Sequence, residues 1–214
     1  MLESIRQAVL SGDDRSARKL TRDALSRGEE PGTILNEALI PAMDLVGREY
    51  EAGIRFIPEM LVSAEAMRAA MEELRPHLVE AGARALGKVV IGTVQGDVHD
   101  IGKNLVAMML EGAGLEVVDL GTEVTPERFV EAVARHSPDI LALSALLTTT
   151  MVSMQDVVSG LEREGLRHRV KVIVGGAPVT ESFALGIGAD GYAADAASAV
   201  QLAKRLLAAR PLSP

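Results

Sequence analysis

The sequence contains no cysteine and no tryptophan, and only 2% of its residues are aromatic. Without cysteine the chain cannot form disulfide bonds, thiolate metal sites, iron–sulfur clusters or a cysteine nucleophile. The scarcity of aromatic side chains argues against nucleic-acid recognition by base stacking. The formal net charge of -8, with no long block of lysine and arginine to offset it, argues against binding to a phosphate backbone. Any metal must therefore be held by atoms other than thiolate sulfur.

Long apolar runs are missing as well. The N-terminal segment MLESIRQAVLSGDD has Glu3 early and no continuous apolar core, so it does not resemble a secretory signal. The most apolar stretch, from Ile140 to Leu147, contains Ser144 and is too short to span a bilayer as a helix. We therefore expect a cytoplasmic protein with neither a membrane nor a nucleic acid as partner. The 214 residues suffice for one domain and a smaller companion.

The N-terminal part, residues 1–87, has a helical pattern throughout. Its apolar residues recur at spacings of three and four, with no alternating stretch. Pro41 is expected to kink the third helix. The breaks that separate the helices are predicted near Gly12, Gly28 and Gly53. This pattern predicts an N-terminal four-helix bundle.

The pattern changes at Lys88, where the β-branched run KVVIGTV is followed by a glycine-containing loop and a helix. Strands then alternate with helices to the end of the chain, which implies a parallel, doubly wound sheet. After that first run, the predicted strands cover residues 115–120, 140–144, 170–174 and 191–193. Residues 88–214 are therefore predicted to form a Rossmann-like α/β domain with five strands. Residues 82–87, rich in glycine and alanine, are expected to act as a hinge between the two domains.

The loop after the first predicted strand, GDVHDIGKN, carries the candidate chemistry. It contains Asp97, His99 and Asp100, and Gly102 opens the next helix. A neutral imidazole binds transition metals well, and a carboxylate two residues away can accept its other ring N–H. A single histidine suits a bare zinc ion poorly, because zinc takes three or four protein ligands, but it suffices if a macrocycle supplies the rest. Taken alone, the loop would also fit a helix N-terminus capped by acidic residues.

A specific resemblance joins this loop to two later segments. Three segments of the chain together resemble the signature of cobalamin-binding domains. In chain order they are Asp97-x-His99-x-x-Gly102, Ser144-x-Leu146 and Gly175-Gly176. The resemblance covers essentially the whole chain. It implies a cobalamin or related corrinoid cofactor, with His99 displacing the cofactor's own nucleotide base and coordinating cobalt. Asp97, Asp100, Gly102 and Leu146 are then expected around that cofactor, and no catalytic residue is expected in the chain.

The resemblance also gives roles to small and hydroxyl-bearing residues. Gly175 and Gly176 would let the backbone approach the buried nucleotide tail of the cofactor, and Ser144 would offer that tail a hydroxyl. Thr148 resembles a second tail contact. Thr150 corresponds to a hydroxyl that continues the His–Asp relay, at a position where methionine synthase has serine. Read separately, the hydroxyl residues could cap the following helix and the glycine pair could form a turn.

The N-terminal bundle distinguishes among the corrinoid classes. Methyl-transfer proteins place a helical cap over the upper cobalt face, whereas mutase subunits resemble only the α/β part. The segment FIPEMLVSAEAM, residues 56–67, is similar to the cap of methanogen and acetogen corrinoid proteins. Phe56, Met60 and Leu61 are therefore the candidates for covering the cofactor, although Met60 would equally suit the bundle core.

The chain thus resembles the stand-alone corrinoid protein of a methyltransferase system for methylamines, methanol or methoxylated aromatics. The resemblance implies that a substrate-specific methyltransferase loads a methyl group onto cob(I)alamin. A second methyltransferase would then pass it to coenzyme M or tetrahydrofolate, and a reductive activase is a further expected partner. Two alternatives remain at this point: the cobalamin-binding subunit of a radical mutase, and a nucleotide-binding or response-regulator-like domain.

Overall fold

The computed structural model describes residues 1–80 and 85–209, which fall into two compact units. The helical unit comprises Met1–Ala85 and Met108–Gly114. The sheet unit comprises Leu86–Ala107 and Leu115–Pro214. Of the predicted hinge, residues 82–84 lie outside the described residues.

The helical unit bears out the all-helical prediction for the N-terminal part. Its helices are α1 (Leu2–Leu10), α2 (Asp14–Ser26), α3 (Pro31–Thr33), α4 (Ile40–Glu51) and α5 (Ile57–Glu80), with a π-helical segment (Ile34–Leu39) between α3 and α4. Pro41 lies in the first turn of α4, directly after the π-helical segment. Proline has no N–H to donate, and its ring crowds the carbonyl four residues earlier, which accounts for the wider turns just before it. The apolar stripes predicted from the sequence are buried, among them Ile5, Val9, Leu39 and Leu74.

The sheet unit contains a five-stranded parallel sheet, which confirms the predicted fold class. Its strands are β1 (Lys88–Thr93), β2 (Glu116–Asp119), β3 (Ile140–Ser144), β4 (Lys171–Gly175) and β5 (Gly191–Ala193). Their order across the sheet is β2-β1-β3-β4-β5, and each neighbouring pair is parallel. The intervening helices are α6 (Ile101–Gly112), α7 (Pro126–His136), α8 (Val152–Arg163), α9 (Glu181–Gly186) and α10 (Ala196–Ala208), with a short 3-10 turn at Arg167–Arg169.

The central strands are apolar along almost their whole length because parallel sheets are covered on both faces. Val90 of β1 and Leu141 of β3 are fully buried in a cluster with Phe129 of α7 and Val157 of α8. The chain leaves β1 first toward β2 and later returns to β3 on the other side of β1. This reversal makes the carboxyl ends of β1 and β3 the place where a doubly wound sheet binds its ligand. No helix within the described ranges is long and apolar enough to cross a membrane.

Candidate functional site

Three loops meet at the carboxyl edge of the sheet because the last residues of three strands are in register. Thr93 of β1 is paired with Ser144 of β3, and Ser144 is paired with Gly175 of β4. The three motifs singled out in the sequence directly follow or include these positions. The fold therefore brings together at one edge the candidate residues of the sheet unit.

Asp97 lies at the centre of this edge and is fully buried. Its Oδ1 accepts a hydrogen bond from the His99 backbone N–H at 3.1 Å and lies 2.7 Å from Nδ1 of the His99 ring. Its Oδ2 accepts hydrogen bonds from the N–H groups of Leu146 and Leu147, at 2.7 and 3.3 Å, and from the Thr150 hydroxyl at 2.8 Å. One carboxylate thus connects the loop after β1 to the loop after β3.

These hydrogen bonds keep Asp97 ionised. Burial by itself raises the pKa of its carboxyl group, but the backbone hydrogen bonds from Leu146 and His99, with those from the His99 ring and Thr150, outweigh burial. The pKa of Asp97 is therefore held well below its usual range. An ionised carboxylate only accepts hydrogen bonds, so Nδ1 of His99 must carry the proton between them. A neutral His99 ring then has an unprotonated Nε2.

Nε2 of His99 is the available ligand atom of the site. The side chain is 47% exposed, and no described residue is a hydrogen-bond partner of Nε2. Across residues 1–80 and 85–209, no group of three or more histidine, aspartate or glutamate side chains could hold a metal ion. The site therefore fits a metal that arrives with its own equatorial ligands and takes one imidazole nitrogen from the protein.

Exposed apolar side chains lie in and directly after the loop that carries Asp97 and His99 and the loop that follows β3. Soluble proteins rarely expose such clusters unless they bind a ligand or partner. They are Val98, Ile101, Leu146, Leu147 and Val152, each more than 40% exposed. The cluster is a suitable rim for a large, partly apolar ligand.

The other predicted residues of this edge take different positions. Ser144 is half-buried and Thr148 is exposed, and neither hydroxyl has a hydrogen-bond partner among the described residues. Asp100 is exposed and accepts a hydrogen bond from the Asn104 side chain at 3.1 Å. A Cβ added at Gly102 would meet no protein atom within 4 Å. Open space therefore lies beside the first turn of α6 at Gly102.

Gly175 and Gly176 are required by the packing of the chain's own backbone. A Cβ on Gly176 would lie 1.9 Å from the carbonyl oxygen of Ala145, and Gly176 has a φ of +127°. A Cβ on Gly175 would lie 2.9 Å from the carbonyl oxygen of Ala193. Backbone segments thus approach closely at this edge, independently of any bound cofactor.

The three cap candidates lie in the helical unit, at or just before the start of α5. Phe56 is 67% exposed and Leu61 is 37% exposed, whereas Met60 is fully buried. The exposed apolar surface here also includes Ile54, Ile57 and Val62. Two of the three candidates therefore present side chains to the surface of the chain.

Two buried polar residues next to the His99 loop were missed by sequence reasoning. Thr93 is fully buried, and its hydroxyl donates a hydrogen bond to the carbonyl oxygen of His99 at 2.9 Å. Lys103 is almost fully buried at the start of α6 and forms an ion pair with Asp119. The available signals were a threonine ending the strand and a lysine inside the motif itself. The remaining histidines lie elsewhere: His77 and His168 are exposed, and His136 is half-buried.

Comparison with known proteins supports the resemblance to cobalamin-binding domains. Two family models, both described as a B12 binding domain, match the chain over residues 87–201 and 1–75. The trimethylamine corrinoid protein 2 of Methanosarcina acetivorans is 42% identical over 206 residues, which cover 95% of each protein.

Solved structures agree as well. The methanol:cobalamin methyltransferase complex of Methanosarcina barkeri aligns with 98% of this chain and 80% of its own, with a TM-score of 0.87 and 32% identity. A cobalamin-binding protein of Desulfitobacterium hafniense aligns over 96% of this chain and 98% of its own, with a TM-score of 0.79 and 33% identity. The chain therefore belongs to the family of B12-binding corrinoid proteins.

Proposed function

We propose that this protein carries methyl groups on a bound corrinoid whose cobalt is coordinated by Nε2 of His99. The observation that carries the proposal is the hydrogen bond between the buried, ionised Asp97 and Nδ1 of His99. That bond sets the tautomer, orients the ring and leaves Nε2 as the basic nitrogen.

The surroundings of His99 fit a corrinoid better than a bare ion. A corrin ring would bring four nitrogen ligands of its own, so the protein would need to add only His99. The exposed apolar rim would contact the macrocycle, and the open space beside Gly102 leaves room for it. The hydroxyls of Ser144 and Thr148, which have no partner among the described residues, are proposed to bind the nucleotide tail near Gly175 and Gly176.

When bound, the corrinoid supplies a cobalt centre that takes up and releases a methyl group. The chain's own residues hold the lower ligand in place. The Asp97 carboxylate keeps the proton that it shares with His99 on Nδ1 of the imidazole. The Thr150 hydroxyl donates a hydrogen bond to Oδ2 of Asp97 at 2.8 Å. Because Asp97 is fully buried, water cannot compete for these hydrogen bonds.

The proposed partners are two methyltransferases and a reductive activase. A methyltransferase that loads the corrinoid is supported by the likeness to the methanol:cobalamin methyltransferase complex and to a trimethylamine corrinoid protein. The second methyltransferase and the activase are proposed because a carrier must also be unloaded and kept in its reactive state. We further propose residues 1–87 as the cap, with the exposed side chains of Phe56 and Leu61 as its cofactor-facing candidates and Met60 in the bundle core, residues 88–214 as the cobalamin-binding domain, and the cytoplasm as the location.

The test is the absorption spectrum of the purified chain mixed with hydroxocobalamin. We expect wild type to bind stoichiometrically with the spectrum of a nitrogen ligand below cobalt. The variant His99→Ala should lose those features and bind at least about tenfold more weakly, since a metal ligand is removed. His168→Ala, which removes an exposed histidine in the Arg167–Arg169 turn, should behave as wild type. A colourless wild type, or an unchanged spectrum in His99→Ala, would refute the proposal.

A further inference from the structure

Lys103 occupies an unfavourable position for a lysine. It is the third residue of α6 and is only 3% exposed. Burial disfavours a charged ammonium group, and the positive end of the helix dipole at the N-terminus disfavours it further. A cation in this position requires compensating contacts from the folded chain.

Those contacts connect α6 to the end of β2. The Lys103 ammonium group forms an ion pair with the Asp119 carboxylate and donates a hydrogen bond to Oδ1 of Asn104 at 2.6 Å. The other oxygen of Asp119 accepts the N–H of Gly121 at 2.9 Å. Lys103 thus attaches the first turn of the helix to the loop that leaves the sheet edge.

The same network reaches the metal-ligand loop through Asn104. The Asn104 side chain donates to Oδ2 of Asp100 at 3.1 Å, and its backbone N–H donates to the Asp100 carbonyl at 2.7 Å. Asp100 follows His99 directly, and the His99 carbonyl accepts the Thr93 hydroxyl. The backbone of His99 is therefore held on one side by Thr93 and Asp97 and on the other by the chain of contacts that begins at Lys103.

We infer that Lys103 is a positioning residue for His99. By attaching the first turn of α6 to Asp119, it fixes the backbone from which the imidazole projects and thereby keeps Nδ1 directed at Asp97. The inference rests on the proposed function in taking His99 as the cobalt ligand. Lys103 is the buried member of this network, and a buried polar group that is paired favours one arrangement of the groups around it.

The test compares Lys103→Met with Lys88→Met by NMR of the corrinoid-free full chain containing ¹⁵N-labelled histidine, at about pH 8.5, where free imidazole is neutral. Lys88 also pairs with a β2 carboxylate, Glu116 at 3.1 Å, but at the opposite end of that strand. Wild type and Lys88→Met should show His99 as the Nδ1–H tautomer alone. Lys103→Met should show a mixture of tautomers at His99, while the signals of the other three histidines stay unchanged.

Binding of hydroxocobalamin gives a second readout. Lys103→Met should bind it about tenfold more weakly than wild type, in the range seen when residues that orient a metal ligand are replaced. An unchanged tautomer together with unchanged affinity would overturn the inference. If Lys103→Met does not fold, Asp119→Asn, which removes the partner charge, decides the question by the same criteria.

The two proposals can fail separately. If wild type does not bind hydroxocobalamin, the proposed function fails, yet the tautomer in the corrinoid-free chain still reports whether Lys103 positions His99. If wild type binds and both Lys103→Met readouts are unchanged, only the positioning role is lost.

Discussion

The Asp97 carboxylate is surrounded by donors on both of its oxygens. The backbone and ring of His99 approach one oxygen, and two N–H groups and a hydroxyl from the loop after β3 approach the other. An asparagine in its place would direct an amide N–H₂ group at one of these donor sets, leaving buried donors unpaired. Asp97 therefore has two tasks, to orient the imidazole and to join two loops of the sheet edge.

Gly176 is the residue at which a single methyl group should matter most. In Gly176→Ala the new Cβ would overlap the Ala145 carbonyl oxygen and would occupy a backbone conformation that alanine rarely adopts. We expect a loss of about 3 kcal/mol or more in the free energy of unfolding, measured by urea denaturation of the corrinoid-free chain. Gly186→Ala is the matched control, because a Cβ there meets nothing within 4 Å; it should change stability by about 1 kcal/mol or less. A Gly176→Ala protein as stable as wild type would show that the edge can relax around the methyl group.

Three helices of the sheet unit begin directly after a residue whose side chain caps the N-terminus of the helix. Thr125 caps α7, Thr180 caps α9, and Asp195 forms a capping box with Ser198 at the start of α10. The Thr180 cap sets the start of α9 at residue 181. Each cap fixes the residue at which the loop after a strand ends and the next helix begins.

The end of α7 has a residue that does not suit its conformation. Ser137 follows α7 in the left-handed region, with φ 46° and ψ 53°, where glycine is preferred. We expect Ser137→Gly to raise the free energy of unfolding by about 0.5–1 kcal/mol. Ala52, the residue after α4, has a φ of -79°, so Ala52→Gly should instead lower stability by up to about 1 kcal/mol. Urea denaturation of both variants checks the prediction, which fails if the two changes have the same sign.

Over the molecule as a whole, the folded chain favours ionised carboxyl groups. The pKa is lowered from its ordinary value at Asp13, Asp23, Glu65, Glu73, Asp97, Glu127 and Asp190, which represent both units. At Asp190, burial raises the pKa, but the Val172 N–H and the side chains of Lys171 and Arg167 outweigh burial. Each such group binds protons less readily in the folded state than in the unfolded chain.

This difference predicts a loss of stability in acid. A carboxyl group whose pKa is lowered by folding stabilises the protein above the unfolded value, near 3.8 for Asp190, and this contribution is lost as the pH falls through the folded value. We expect urea midpoints to fall between about pH 5 and pH 3, with Asp190 contributing a slope of at most about 1.4 kcal/mol per pH unit. Asp190→Asn should be less stable at neutral pH and should lose less on acidification. A midpoint that does not change over this range would contradict the argument.

Much of the architecture follows from local sequence. Helical spacing predicts the helical unit. The β-branched run at Lys88 and the alternation of strands and helices after it predict all five strands, with β3 and β5 at their observed boundaries. The π-helical segment before Pro41 was not predicted, because periodicity does not distinguish a π turn from an α turn over so few residues. Met60 and Leu61 were assigned the same role, yet one is buried and the other exposed, since burial depends on what each helix packs against.

The sequence alone predicts that Asp97 and His99 can pair, because two residues at that spacing in a loop lie within reach of each other. Which other groups reach them depends on the tertiary fold. The Leu146 N–H and the Thr150 hydroxyl lie about fifty positions along the chain from Asp97, and they meet it because the register of β1 with β3 aligns Thr93 with Ser144. Lys103 and Asp119 meet for a related reason, since β2 ends beside the helix that follows β1. Such contacts depend on how strands align, which the local pattern of residues does not specify.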